Sequence, residues 1–262
     1  MQAAGFSTIM SLSTKEARME HWESLKSGGY RFVYDDALFR PGTDTFVLSS
    51  FPRLKPGLRV WDLGCGTGLL GLLLLQRQQA LQVTGLELQA PAAELAQRAA
   101  IQNGLDGRFR ILQGDLRKIR SLSPSGGADL VLCNPPYYSP LCGKLPAGEA
   151  LRAARAETHC TLEDVCTAAA YLLRWGGSFC LVHKPERLAD LLEALRAAAL
   201  EPKRLRFVCS GAEDAPSLVL AEGRRGGRPG LAVEPPLILR TAAGTPTAEL
   251  DAIYFRQQEE HP

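Results

Sequence analysis

The sequence has little of what marks a membrane protein, a secreted scaffold or a strongly charged binder. Its longest unbroken aliphatic stretch, counting Gly71, is Leu69–Leu75, far short of the ~20 apolar residues that a spanning helix needs, so no membrane partner is expected. The first ten residues have neither a basic region nor a long apolar core, which argues against a secretory signal. Met10 is a second candidate start, and the alternative is that Met1–Ile9 do not belong to the native protein. No C-x-x-C pair occurs among the seven cysteines. An odd number, several in apolar segments, reads as reduced thiols and a cytoplasmic location. The histidines are scattered, and His159-Cys160 with Cys166 lacks a matching second pair, so no metal is expected. Neither sign of charge dominates, with 30 Lys+Arg against 28 Asp+Glu, so a nucleic-acid partner would have to be held by local clusters. No long linker or repeat is present. Residues 1–29, polar with few apolar positions, read as a mobile or partly helical arm with a surface helix over Glu16–Ser27, and residues 30–262 read as one domain.

What is present centres on Arg59–Gly71, which runs Arg-Val-Trp-Asp-Leu-Gly-Cys-Gly-Thr-Gly-Leu-Leu-Gly. An apolar strand at Val60–Leu63 breaks into Gly64-x-Gly66-x-Gly68, and a helix follows over Leu69–Gln79. Glycines let backbone N–H groups approach a ligand closely, and a helix N-terminus favours electron-rich groups. Two cofactors compete for this turn. Gly66-x-Gly68-x-x-Gly71 matches the dinucleotide fingerprint, with Glu87 downstream for a ribose. Against that, the turn starts at Gly64, directly after the strand, and Asp62 sets a carboxylate beside it. A carboxylate repels a pyrophosphate and attracts an ammonium or sulfonium. The turn therefore leans toward S-adenosylmethionine, which carries both cations and no phosphate.

Strands and helices alternate around this centre. Tyr30–Phe39 alternates loosely and meets Arg40-Pro41-Gly42-Thr43-Asp44, where Thr43 or Asp44 is a candidate N-cap for a helix over Thr45–Phe51. Strands are expected at Leu81–Leu88, Phe109–Gln113, Ala128–Cys133 and Ser178–His183, with a candidate antiparallel pair at Arg204–Ser210 and Ser217–Ala221. Helices are expected over Ala90–Asn103, closed by Asn103-Gly104, over Leu162–Trp175, and from Pro185, where Leu188, Leu191, Leu192 and Leu195 keep helical spacing. Nearly continuous apolar strands separated by helices argue for an α/β fold with a mainly parallel sheet covered on both faces. Ligands bind such sheets beyond the carboxyl ends of the strands. Asp62, Glu87, Asp115 and Asn134 all stand there.

After the fourth strand comes Asn134-Pro135-Pro136-Tyr137-Tyr138. A rigid turn would account for the prolines, but not for an asparagine at the ligand edge. An amino group on an aromatic base or an amide is a poor nucleophile because its lone pair is delocalised. The Asn134 side-chain oxygen and the Pro135 carbonyl suit both of its N–H groups as acceptors, turning the lone pair toward a methyl donor. Tyr137 suits stacking on the planar group.

These residues resemble the class I amino-methyltransferases, and more closely the bacterial tRNA(Val) adenine-N6 methyltransferases that modify the adenine beside the anticodon. Gly42-Thr43-Asp44, Ala154-Arg155-Ala156-Glu157, His183-Lys184-Pro185-Glu186-Arg187-Leu188, Leu237–Leu239 and Ile253-Tyr254 carry the closer resemblance. Ala156 departs from it, since relatives often have His there. The resemblance implies a Rossmann-like fold with a mainly parallel seven-stranded sheet, S-adenosylmethionine as cofactor, and a tRNA adenine at position 37 as substrate. It implies that Glu87 binds the cofactor's ribose and Asp115 its adenine amine, while Asp62, Gly64, Cys65, Gly66 and Gly68 face its methionine part. Leu88, Leu116 and Asn134 join that set, and Arg40, Thr43 and Asp44 close over it. Asn134, Pro135, Pro136 and Tyr137 form the implied catalytic motif. Rival readings are N5-methylation of a release-factor glutamine, which normally brings a larger N-terminal helical domain, methylation of another RNA base amine, and a non-catalytic cofactor-binding scaffold. For RNA contact the candidates are Arg117-Lys118-Arg120, and Arg224-Arg225 with Arg228 in an expected Gly-rich loop.

Overall fold

The computed structural model describes residues 20–35, 41–135 and 160–256. A hairpin of β1 (Glu20–Ser24) and β2 (Arg31–Asp35) comes first, closed by the Leu25 amide donating to the Tyr30 carbonyl at 2.9 Å. Then α1 (Thr43–Ser50) leads to β3 (Arg59–Leu63), α2 (Leu69–Arg77), β4 (Gln82–Glu87), α3 (Ala90–Gln102), β5 (Phe109–Gln113), α4 (Ile119–Leu122) and β6 (Ala128–Cys133). The second half holds α5 (Leu162–Leu172), β7 (Leu173–His183), α6 (Leu188–Ala197), β8 (Leu200–Cys209), β9 (Pro216–Arg225), β10 (Ala232–Ile238) and α7 (Ala248–Ile253). Eight strands form one sheet in the order β10-β8-β9-β7-β6-β3-β4-β5, in which β9 alone runs antiparallel to its neighbours. Among the described residues no helix is long and apolar enough to cross a membrane.

Strand alternation divides the apolar residues between two cores. Val60, Leu130, Leu132 and Val182 join the cluster under α1, α2 and α3, whereas Leu63, Val131, Cys133 and Leu181 join the one under α5 and α6. A strand covered on both faces has no polar side to show, which is why β6 after its opening Asp129 reads as an unbroken apolar run, Leu130–Cys133. Leu69–Leu75 lies in the core, every residue of it buried. The expected C-cap of α3 is present: the Asn103 side chain donates to the Ala99 carbonyl at 2.7 Å and accepts from the Arg31 amide at 2.8 Å, tying β2 to the helix.

Several expectations fail, each for a non-local reason. The main sheet has eight strands rather than seven. The extra strand, β10, contains Pro235-Pro236 and so reads as irregular, but it lies at the sheet edge, where a missing donor is tolerated. In place of the surface helix over Glu16–Ser27, the described residues of that stretch form a strand, Glu20–Ser24, and the start of the hairpin turn, because cross-strand partners outweigh local helix propensity. His21 stacks on Tyr34 at 5.1 Å and Arg31 lies over the Trp22 ring. The helix over Leu162–Trp175 stops at Leu172, where Leu173 pairs with Ala128 and opens β7. Arg224 and Arg225 are strand residues, not loop residues, and pair across from Ser178 and Leu200.

Candidate functional site

Strand order reverses at β3, with β4 and β5 on one side and β6 and β7 on the other. Neighbouring connections leave such a point in opposite directions, and the crevice between them is where open α/β sheets bind ligands. Register brings the expected residues together there. Leu63 lies opposite both Leu86 and Cys133, so Gly64, Glu87 and Asn134 are neighbours at one sheet edge.

The glycine turn divides by role. Gly64, Gly66 and Gly68 have φ of 71°, 54° and 84°, the left-handed region that glycine alone enters cheaply. Among the described residues, side chains at Gly64 and Gly66 would meet nothing within 4 Å, so both border open space there. A Cβ on Gly68 would come 3.1 Å from Ala96, and one on Gly71 2.4 Å from the Phe109 ring. Those two glycines serve packing of α2 against α3 and β5. The Gly64 and Cys65 amides both donate to the Leu86 carbonyl, at 2.8 and 3.0 Å, and pin the turn to β4. Cys65 is buried, its sulfur against the backbone of Gly85.

Two carboxylates lie behind this turn. Glu87 accepts the Gly66 amide at 2.9 Å through one oxygen and the Gln89 amide at 2.8 Å through the other. Asp62 is only 1% exposed, and its Oδ2 is buried with no hydrogen-bond partner among the described residues. Burial first, and the charge of Glu87 second, push its carboxyl up to about 7, while the Gly71 amide holds it back. A buried carboxylate with a free oxygen is costly to leave uncompensated. An ammonium or sulfonium beside it would relieve that cost, and the open space over Gly64 and Gly66 leaves room for one. The residues present therefore fit S-adenosylmethionine.

The remaining expected residues are distributed as follows. Leu88 follows β4 and is half exposed at 50%, a large apolar group suited to cover a ring. Asp115 caps the short turn Leu116–Lys118 by accepting the Arg117 amide. Arg117 also chelates it, with guanidinium bonds of 3.0 and 2.6 Å, and holds its carboxyl below the ordinary range. Leu116 packs against the second core. Thr43 and Asp44 open α1, but neither caps it: the N-cap is Gly42, with no side-chain bond, because the helix starts two residues earlier than expected. Thr43 instead accepts the Tyr254 hydroxyl at 3.2 Å. Asn134 stands at the end of β6, and its Nδ2 donates to Thr45 Oγ1 at 3.0 Å. Pro135 is buried behind it. Arg40, Pro136 and Tyr137 lie outside the described residues.

Thr45 escaped the reading of the sequence. Its one signal was position, directly after Gly42-Thr43-Asp44, and helical periodicity marked it only as a helix residue.

A family model, the methyltransferase small domain, matches residues 33–199. The chain is 31% identical over 215 residues to the tRNA1(Val) (adenine(37)-N6)-methyltransferase of Dickeya chrysanthemi, covering 79% of this chain and 83% of that protein. Among solved structures it is similar to a protein described as a predicted O-methyltransferase from Agrobacterium tumefaciens, at a TM-score of 0.66 and 20% identity over 81% of this chain and 96% of that one. It is also similar to a geranyl diphosphate methyltransferase in complex with S-adenosylmethionine, at a TM-score of 0.51 and 18% identity over 69% of this chain and 83% of that one. At such identities the two structures speak for the fold alone. The orphaned Asp62 oxygen, the open glycine turn and these matches agree: the chain is an S-adenosylmethionine-dependent methyltransferase and belongs to the methyltransferase small-domain family, in the branch of the tRNA1(Val) adenine-N6 enzymes.

Proposed function

We propose that this methyltransferase modifies the N6 amine of an adenine in cytoplasmic tRNA, at position 37 beside the anticodon of tRNA(Val). The observation that carries the amine chemistry is Asn134, a primary amide held at the crevice by a hydrogen bond to Thr45, one residue past the strand position facing Leu63. The substrate name comes from the relative at 31% identity.

S-adenosylmethionine, when bound, supplies an electrophilic methyl on sulfur. Asp62 faces its cationic methionine part, Glu87 takes the ribose hydroxyls through lone pairs left beside its two amide bonds, and Leu88 covers the adenine. Asp115 takes the cofactor's adenine amine by a remaining lone pair, next to Arg117. Asn134 Oδ1 and the Pro135 carbonyl accept the two N–H hydrogens of the substrate amine. They draw its lone pair out of conjugation and aim it across the crevice. Tyr137 stacks on the flipped base and excludes water. No basic side chain is needed, because a methylated, cationic nitrogen gives up its proton to water. A loop adenine suits this site better than a paired one, since it costs less to unstack.

Mass spectrometry of nucleosides in tRNA from cells with and without the protein tests the reading. The expected result is loss of N6-methyladenosine from tRNA(Val) in the deletion, and its formation in vitro with purified protein and cofactor. Methylation of a release-factor glutamine with tRNA untouched would overturn it.

A further inference from the structure

We propose that Thr45 is a positioning residue for methyl transfer: its hydroxyl accepts the Asn134 Nδ2 hydrogen and anchors that amide at the crevice, where it meets the substrate nitrogen. The inference rests on the amine-methylation reading above.

A primary amide has two nearly isosteric ends of opposite polarity. Rotated by half a turn, Asn134 would point N–H groups at the N–H groups of the incoming amine, and the acceptor would be lost. A hydroxyl both donates and accepts, so what Thr45 supplies is a fixed anchor that holds the amide with Nδ2 turned toward α1. Thr45 is 3% exposed and lies 3.0 Å from Nδ2, 89 positions away in the chain. Two other hydroxyls of α1 donate to their own helix, Ser49 to the Phe46 carbonyl at 2.6 Å and Ser50 to the Val47 carbonyl at 2.8 Å. The Thr45 hydroxyl instead meets Asn134. As a β-branched residue it also has few rotamers, which keeps the oxygen in place.

Thr45 is in turn held from outside the methyl-transfer crevice. Tyr254, just past α7, stacks on Phe46 with ring centroids 4.2 Å apart and planes 8° from parallel. Its hydroxyl reaches Thr43 on the same helix turn. Arg77 of α2 donates to the Ser49 hydroxyl at 3.1 Å and to the Ile253 carbonyl at 2.7 Å. The first turn of α1 is thereby wedged between α2 and the C-terminal segment, and Thr45 carries that rigidity to the amide.

The test is kinetics on tRNA with wild type, Thr45→Val, Thr45→Ser and the double variant Thr45→Val/Asn134→Ala. Thr45→Val keeps the shape and removes the hydroxyl. It should lower kcat about tenfold to a hundredfold, the scale of misplacing a reacting group, while KM for tRNA and cofactor affinity stay within about threefold of wild type. Thr45→Ser should recover most of the rate. In the Asn134→Ala background Thr45→Val should cost nothing more, as expected of residues that act through one another; that comparison also separates positioning from loss of folding. A Thr45→Val enzyme with unchanged kcat, a serine variant no better than valine, or additive losses in the double variant would each overturn the proposal. Wild type inactive on tRNA would instead sink the substrate reading.

Discussion

The two ends of the parallel strands handle charge in opposite ways. At the amino ends of β3, β6 and β7, charges are matched and structural: Asp129 accepts the Arg59 amide at 2.9 Å and pairs with Arg174 at 2.5 Å. Arg225 donates to the Leu173 carbonyl, and Trp175, 74% exposed, lies over the turn at Gly226. At the carboxyl ends, Asp62 has a buried oxygen without a partner among the described residues, and Glu87 sits beside it. A satisfied charge network holds strands in register, whereas a carboxylate left partly unsatisfied stores a preference for a ligand. The fold thus leaves its unmet demand at one edge of the sheet.

The sharpest way to break that contrast is to remove the amide at the carboxyl edge. Asn134→Ala should lower methyl transfer by about 10²–10³, the scale of losing one oriented dipole in a transition state, with cofactor affinity by calorimetry within a few-fold of wild type. Near-normal turnover would remove the amine clamp from the mechanism.

Asp62 gives the next effect. With its carboxyl at about 7 in the ligand-free protein, binding a cation favours the ionised form. Affinity for S-adenosylhomocysteine, whose ammonium remains, should therefore rise with pH below 7, by up to about tenfold per unit, and level off above it. Stability runs the other way. A group whose pKa is raised by folding from 3.8 to about 7 favours the folded state most below pH 4, and that contribution is lost as pH rises through 7. Thermal melts without cofactor should show this decline, and Asp62→Asn should flatten both profiles.

The smallest effect is expected at the amino ends. By register Arg224 faces Ser178, roughly 16 Å from His183 at ~3.3 Å per strand residue. Arg224→Ala with Arg228→Ala should change KM for tRNA less than threefold and leave its salt dependence intact. A flattened salt slope would extend the RNA footprint to this edge and weaken the division drawn here.

Much of the site was legible in the sequence because it is encoded locally. Glycines that must adopt positive φ, a carboxylate ending a strand, and an Asn-Pro step after an apolar run keep their meaning without tertiary contacts. The same holds for Phe109–Gln113 and Ala128–Cys133, whose bounds in the structure are those expected. The strand at Glu20–Ser24 and the edge strand with Pro235-Pro236 were not legible, since their pairing partners lie elsewhere in the chain.

Sequence by itself determined the chemistry class, a strand-turn-helix with Asp62 behind the glycines and Asn134 at a later strand end, because these depend on residue type and on strand order along one edge. Only the tertiary structure decided which glycines face open space and which face Phe109, that one Asp62 oxygen has no partner among the described residues, and that Asn134 meets Thr45. The reason is distance along the chain. A hydrogen bond between residues 89 positions apart leaves no periodicity or motif in either segment, and forms only when α1 is packed over the end of β6.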